Sequence, residues 1–349
     1  MHMADALLSP AVGATVWAGT AAVGGYASKK LKVQINDRMI PLMGVMGAFI
    51  FAAQMINFTI PGTGSSGHLG GGMILAILLG PHAAFLTMAS VLTVQALFFA
   101  DGGLLALGCN IWNLGVYPCY LVYPFVYRPL AGEGRSPGRL LIASVLSVVI
   151  ALQLGAFSVV LETLLSGRSE LPFGAFVLLM QPIHLAIGIV EGFVTAGVIG
   201  YVAAARPEIL ASVAAARPVA AGVPLAKVLT VFALLAVLTG GAFSWFASTH
   251  PDGLEWAIEK VTGQGELSEA EHGVAAVLRG LQEKTAFLPD YGFKADAAEP
   301  APEDSAPAWP GIEAGTSAAG VTGAAIVLVL VGLIGLGIRS AGRRPGSTP

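Results

Sequence analysis

The chain begins Met1-His2, and a further histidine, His68, stands in the glycine-rich stretch NFTIPGTGSSGHLGGG, residues 57–72. A free α-amine, the amide nitrogen of residue 2 and the imidazole of His2 lie on consecutive atoms of one chain. Together they can close two small chelate rings on a metal ion. An amide that gives up its proton is a strong in-plane donor, and a fourth nitrogen from His68 would complete a square. Four coplanar nitrogens suit Ni(II) or Cu(II), whereas zinc prefers a tetrahedron. This chemistry needs an unblocked Met1 folded back into the protein. A signal peptide would carry basic residues ahead of its apolar core, yet the first basic residue is Lys29. Initiator methionine is trimmed when a small residue follows, and His2 is not small, so Met1 is expected at the mature terminus. An ordinary N-terminus with a structural histidine fits the same residues, and spacing alone leaves both open.

The elements that must position these residues are membrane helices. Hydrophobic residues make up 55% of the chain and charged residues 11%, with a mean hydropathy of +0.76. Soluble domains carry about 25% charged residues, so an all-α, polytopic membrane bundle is expected. Apolar runs predict helices at 8–28, 39–57, 70–80, 82–100, 103–127, 140–164, 172–204, 225–247 and 319–338. The run at 70–80 is too short to cross about 30 Å of hydrocarbon and is expected as a half-helix inside the protein. With the N-terminus outside, 13 of the 18 basic residues fall on the cytoplasmic side, as the positive-inside rule requires. That choice puts Met1, His2 and the loop around residue 65 on the outer side and the C-terminus in the cytoplasm. An inner, plasma-membrane location is expected.

The chain divides near residue 220. Residues 1–205 hold seven helices, 206–224 read as an Ala/Pro-rich linker, and 225–349 hold two helices flanking a long outer segment, 248–318. That segment carries 13 acidic and 4 basic residues, and its stretch 295–315 reads as a solvated tether. All three proposed ligands precede residue 70, so the second part is expected to be an accessory without a share in metal affinity. Ionisable and amide groups inside a membrane are functional candidates: Gln95, Asn110, Gln181, His184 and Glu191 can support the loop, line a path, or only join helices. Asn57 and Ser66 belong to the loop itself. Ala14, Ala18 and Ala22 form a small-residue row on the first helix, suited to docking a membrane partner or to internal packing. Cys109 and Cys119 are expected as unpaired core residues.

Met1-His2, GTGSSGHLGGG leading into LGPHAAFLTMASVLTVQALFFADGGLLALGCN, and MQPIHLAIGIVEGF resemble the CbiM/NikM family over residues 1 to about 205. These are the membrane-embedded S components of energy-coupling-factor (ECF) transporters for cobalt and nickel. The resemblance implies metal ligands at Met1, His2 and His68. It also implies as partners a transmembrane coupling subunit and two ATP-binding cassette ATPases within the lipid bilayer, and no nucleic acid. THPDGLEWAIEK, LPDYGF and the last apolar helix resemble the PDGLE-type part of NikN accessory subunits. Fusion of the two favours nickel over cobalt; the alternatives are a cobalt importer supplying cobalamin biosynthesis and a passive metal channel. No resident cofactor is expected, since the ion, Ni(II) or Co(II), is the substrate. No enzyme is expected either. The chain has no G-x-x-x-x-G-K-[ST] loop for ATP, and GSSGH puts His68 where a nucleophile elbow needs its second glycine. Haem ligation by His82 and His184 is the remaining competitor.

Overall fold

The structure, a computed structural model, describes residues 2–132, 136–168, 170–220, 222–265, 267–268, 272–294 and 309–342. Helix α1 (Pro10–Gln34) starts where its chemistry says it should. Pro10 supplies a fixed φ at the first helical position, and the Ser9 hydroxyl accepts the Val12 N–H. Helix α2 (Met39–Gln54) leads into a two-stranded antiparallel hairpin, β1 (Phe58–Ile60) and β2 (Ser65–Gly67). Helices α3 (Gly72–Leu79) and α4 (Pro81–Phe99) follow. The half-helix is α3: all eight of its residues are buried, and it ends at Gly80 because Pro81 begins the next helix.

The segment 107–131 is helical throughout but changes width. An α-helical turn, α5 (Leu107–Ile111), passes into a π-helical stretch (Trp112–Tyr127) and back to α6 (Arg128–Ala131). Pro118 and Pro124 lie inside the wide stretch; each lacks the N–H that an α-helical ladder needs and crowds the carbonyl one turn earlier. Helices α7 (Pro137–Leu165) and α8 (Phe173–Ala205) pair along their length. Among the described residues four helices, α4, α7, α8 and Ala314–Gly342, are long and apolar enough to cross a membrane; Met39–Gln54 and Ala226–Gly241 are shorter apolar helices. This is a multi-pass membrane protein.

Residues 206–224 are not merely a linker. Pro207–Ala214 form helix α9, which buries Ile209, Leu210 and Val213 against α3 and α8. An amphipathic run of eight residues thus caps the half-helix, and Ala/Pro content alone hides it. Helices α10 (Ala226–Gly241) and α13 (Ala314–Gly342) both pack on α2. They cross at Gly240 and Gly320, where a Cβ on Gly320 would lie 2.2 Å from the Gly240 carbonyl oxygen. Between them α11 (Gly253–Thr262) and α12 (Val274–Thr285) build the outer segment. Most of the expected tether, 295–308, lies outside the described residues.

Candidate metal centre

The N-terminal segment is drawn into the bundle by its own backbone. The Met3 N–H donates to Asn110 Oδ1 at 2.8 Å, and the Met3 carbonyl accepts from Gly103 N–H at 2.9 Å and from Asn110 Nδ2 at 3.3 Å. Two residues on, Asp5 Oδ1 accepts the Ala106 N–H at 2.9 Å. Met3, Leu7 and Leu8 are buried beneath these bonds. His2 is therefore delivered into the protein against the α4–α5 connection. Gly102 turns that connection at φ +79°, and a Cβ there would come 3.2 Å from the His2 Cβ. Met1 lies outside the described residues.

His68 follows β2 on a loop whose buried backbone must be satisfied by protein, since lipid supplies no partner. Glu191 on α8 accepts two loop N–H groups, Gly70 at 2.7 Å and Gly71 at 2.8 Å. The Gly70 carbonyl accepts from Gln54 Nε2 at 2.9 Å, and Gln95 Nε2 in turn donates to Gln54 Oε1 at 2.9 Å. Ser66 N–H donates to the Pro251 carbonyl, and the Ser66 hydroxyl to that of His250, both at 2.8 Å. The Asn57 carbonyl accepts from Ser248 N–H at 2.7 Å.

The two imidazoles meet. Their planes are 10° from parallel and their centroids 5.1 Å apart. Metal–nitrogen bonds of about 2.0–2.1 Å put an imidazole centre about 3.2 Å from its ion, so two neighbouring ligands of one square have centres about 4.5 Å apart. Burial pushes both histidines down to about 3, so both are neutral at pH 7 and need lose no imidazolium proton to ligate. The atoms they present are informative. Nδ1 of His68 lies 3.0 Å from the Leu69 carbonyl, which can only accept, so Nδ1 carries the proton and Nε2 the lone pair. Nδ1 of His2 lies 3.1 Å from Asp101 Oδ1, and the buried ring also meets the Gln95 side chain. A chelate through the His2 amide closes a six-membered ring only through Nδ1, the atom turned to Asp101. Among the described residues no group of three or more His, Cys, Asp or Glu side chains is placed to hold a metal.

The other sequence candidates separate. Asn110, Glu191, Gln95, Ser66 and Asn57 all hold the two segments that carry the histidines. His184 donates Nδ1–H to the Met180 carbonyl at 2.7 Å and borders, with His68 and Asp252, one small void. Gln181 takes no part: it exchanges hydrogen bonds with Gln153 on α7, at 2.8 and 3.3 Å. His82 lies elsewhere, 3.1 Å from the Tyr120 hydroxyl. Ala14, Ala18 and Ala22 are exposed on α1. Cys109 and Cys119 are buried and free.

The second part of the chain packs against the segments that carry the histidines. The outer segment adds residues 248–252 beside the hairpin, with a parallel bridge between Ser66 and Asp252. Asp252 then caps α11 in a capping box with Glu255, and Trp256 Nε1 donates to the Thr63 carbonyl at 3.0 Å. Asp101, Asp252, Glu255, Gln282 and Tyr291 join His2, His68, Gln54 and Asn57 around a cavity of about 680 Å³. Sequence reading missed Gln54, Asp101, Asp252 and Tyr291. Asp101 had a signal, being the charge that ends the uncharged run from Met39 to Ala100. Asp252 and Tyr291 stand inside the PDGLE and LPDYGF stretches, noted only as marks of resemblance.

Comparison with known proteins agrees with this architecture. The family model "cobalt uptake substrate-specific transmembrane region" matches residues 2–209, and a PDGLE domain matches 226–340. The chain is 34% identical over 341 residues, 95% of its length and 96% of the other's, to an Archaeoglobus fulgidus protein bearing the name of a fused nickel transport protein NikMN. It is 30% identical to the fused nickel transport protein NikMN of Rhodobacter capsulatus, covering 99% of this chain and 100% of that one. A solved structure of a truncated transition metal transporter superposes with a TM-score of 0.51 at 29% identity, over 59% of this chain and 99% of the other.

Proposed function

Starting from a chain that belongs to the cobalt uptake substrate-specific transmembrane family and carries a PDGLE domain, we propose that it captures Ni(II), in preference to Co(II), outside the cell for import. At the level of its relatives it is a nickel or cobalt transport membrane protein and not an enzyme. The observation that carries the finer reading is the meeting of His2 and His68, both buried and neutral, at the wall of a polar cavity. Met1 and His2 supply the amine, amide and imidazole, and His68 the fourth nitrogen. Nickel leads because four coplanar nitrogens suit its d-electrons and because the full-length relatives are named for nickel.

The chain has no ATP-binding loop, so pumping is assigned to a coupling subunit and two ATPases of an ECF module. The exposed row Ala14, Ala18 and Ala22 on α1 offers such a subunit a close helix approach. Placement of basic residues supports an outer N-terminus and a cytoplasmic C-terminus. Residues 1–205 are assigned to binding, and residues 225–349 to covering the site. The test is nickel accumulation by cells that make the chain with the ATPase and coupling subunits, against cells making His2→Ala or His68→Ala. Both variants should reach the membrane and fail to accumulate nickel. Nickel flux into liposomes holding the chain alone would instead show a channel.

A further inference from the structure

We propose that α12 of the outer segment is an interfacial membrane helix, which lies on the lipid surface beside the end of α4 with Val274, Val277 and Leu281 in the acyl boundary. The inference does not use the metal reading above. It starts from the three faces that the sequence gives this helix. At about 100° per residue, Ala275, Leu278 and Gln282 fall on one side, and all three are half-buried against the protein. Val274, Val277 and Leu281 fall on the next side, at the spacing of an apolar stripe. That stripe is bare: the three residues are 55%, 72% and 48% exposed. Opposite the stripe stand Arg279 and Glu283, an ion pair at 3.8 Å.

Hydrogen bonds fix the height of α12 on the bundle. Gln282 Nε2 donates to the Ala96 carbonyl at 2.8 Å and the Gly102 carbonyl at 2.7 Å. Leu288 N–H donates to the Phe98 carbonyl at 3.3 Å. Ala96 and Phe98 belong to the last turn of α4, whose carbonyls have no partner within their own helix. Since α4 is long and apolar enough to cross a membrane, its last turn marks the edge of the hydrocarbon. Gln282 therefore ties α12 to that edge. Just past the helix, Phe287 is 44% exposed and lies 5.6 Å from Phe98 and 6.0 Å from Phe99, ring to ring. The bare stripe and Phe287 thus stand at the level where the lipid-facing surface of the bundle ends.

Lipid suits the stripe better than the rest of the chain does. The residues of this segment outside the described ones, 266, 269–271 and 295–308, include no Val, Ile, Leu, Met or aromatic side chain to lay on it. A helix at an interface needs an apolar face, a charged face and basic side chains at the border between them. Here Lys284 flanks the stripe next to Val277, and its long stem lets the ammonium reach the phosphates while the stem stays in contact with apolar neighbours. The outer segment is then held from two sides, by its hydrogen bonds to the end of α4 and by the bilayer under α12.

Spin labels on the full chain in nanodiscs of phosphatidylcholine and phosphatidylglycerol test this. The chain's own cysteines are buried, so the parent gives the background. Labels are placed one at a time by Val277→Cys, Leu281→Cys, Arg279→Cys and Glu283→Cys. Power saturation compares collisions with oxygen, which concentrates in lipid, and with chromium oxalate, which stays in water. The labels at 277 and 281 should favour oxygen, at a depth of about 5–10 Å below the headgroup surface, and those at 279 and 283 should favour chromium oxalate. Placing Asp at both Val277 and Leu281 should move a Val274→Cys label from the oxygen-rich to the chromium-rich side. Chromium oxalate exposure at 277 and 281 equal to that at 279 and 283 overturns the proposal in favour of a solvated helix. Protection of 277 and 281 from both reagents overturns it in favour of a protein cover, such as a second copy of the chain.

Discussion

Removing the Glu191 carboxylate should cost this protein its metal site while sparing its helices. Glu191 accepts the Gly70 and Gly71 N–H groups at 2.7 and 2.8 Å, and both glycines are buried. In Glu191→Ala, two buried donors lose their acceptor, and each unsatisfied donor costs about 1–3 kcal/mol. The loop can relax and recover part of the loss, so about 3 kcal/mol remains. His68 lies two residues before Gly70 and moves with it. If the whole cost falls on the ligand-competent loop conformation, nickel binds about 150-fold more weakly, at 1.4 kcal/mol per factor of ten. Glu191→Gln keeps one acceptor oxygen and turns an NH₂ toward the second N–H, which predicts about half the cost and roughly tenfold weaker binding. Chelator competition in detergent gives both constants. Unchanged helical circular dichroism separates loop damage from unfolding. Binding by Glu191→Ala within threefold of the parent would refute the argument that this carboxylate holds the loop.

Inserting Ala between Met1 and His2 moves the amine by about 3.5 Å relative to the imidazole and should abolish tight nickel binding by calorimetry with the fold intact; parental affinity would remove main-chain nitrogen from the donor set. Binding at pH 7 should release about two protons, one from the His2 amide and most of one from the α-amine, whose ordinary pKa is about 7.7–8.0. The imidazoles add none, because at about 3 they are already deprotonated above pH 4 and would compete with protons only below it. Calorimetry in buffers of different ionisation enthalpy counts the protons, and a count near zero would favour a site made of imidazoles alone. Deleting residues 219–349 should alter nickel affinity, since it strips the backbone partners of Ser66 and Asn57 and the anchor of Asp101; an unchanged dissociation constant would return the second part to a remote accessory role. Cysteine at Ser65 should be labelled from the outer face alone, and labelling from the cytoplasmic face would reverse the orientation.

The legibility of this chain tracks the range of its interactions. Span positions were readable because burial in lipid leaves one signal, apolarity, that each segment carries by itself. The half-helix at 72–79 was readable by the same means, since eight residues cannot cross a bilayer wherever they sit. His2 and His68 stood out by type against an apolar background. Helix α9 was hidden because its few buried residues matter only once α3 is present to be capped. The hairpin at 58–67 was hidden because its strands are three residues long, too short for an alternating pattern.

The contacts of the second part were hidden for a different reason. Ligand positions in sequence invite the view that a part without ligands has no say in affinity. Yet the surroundings of a residue can come from far along the chain, and Asp101 lies 3.1 Å from His2 Nδ1. Asp101 is held by Tyr291, 190 residues away along the chain. The Ser66–Asp252 bridge joins the His68 loop to the same outer segment. Both histidine-bearing segments therefore rest on residues that follow the divide near 220, and a change in the seating of the outer segment reaches both imidazoles at once.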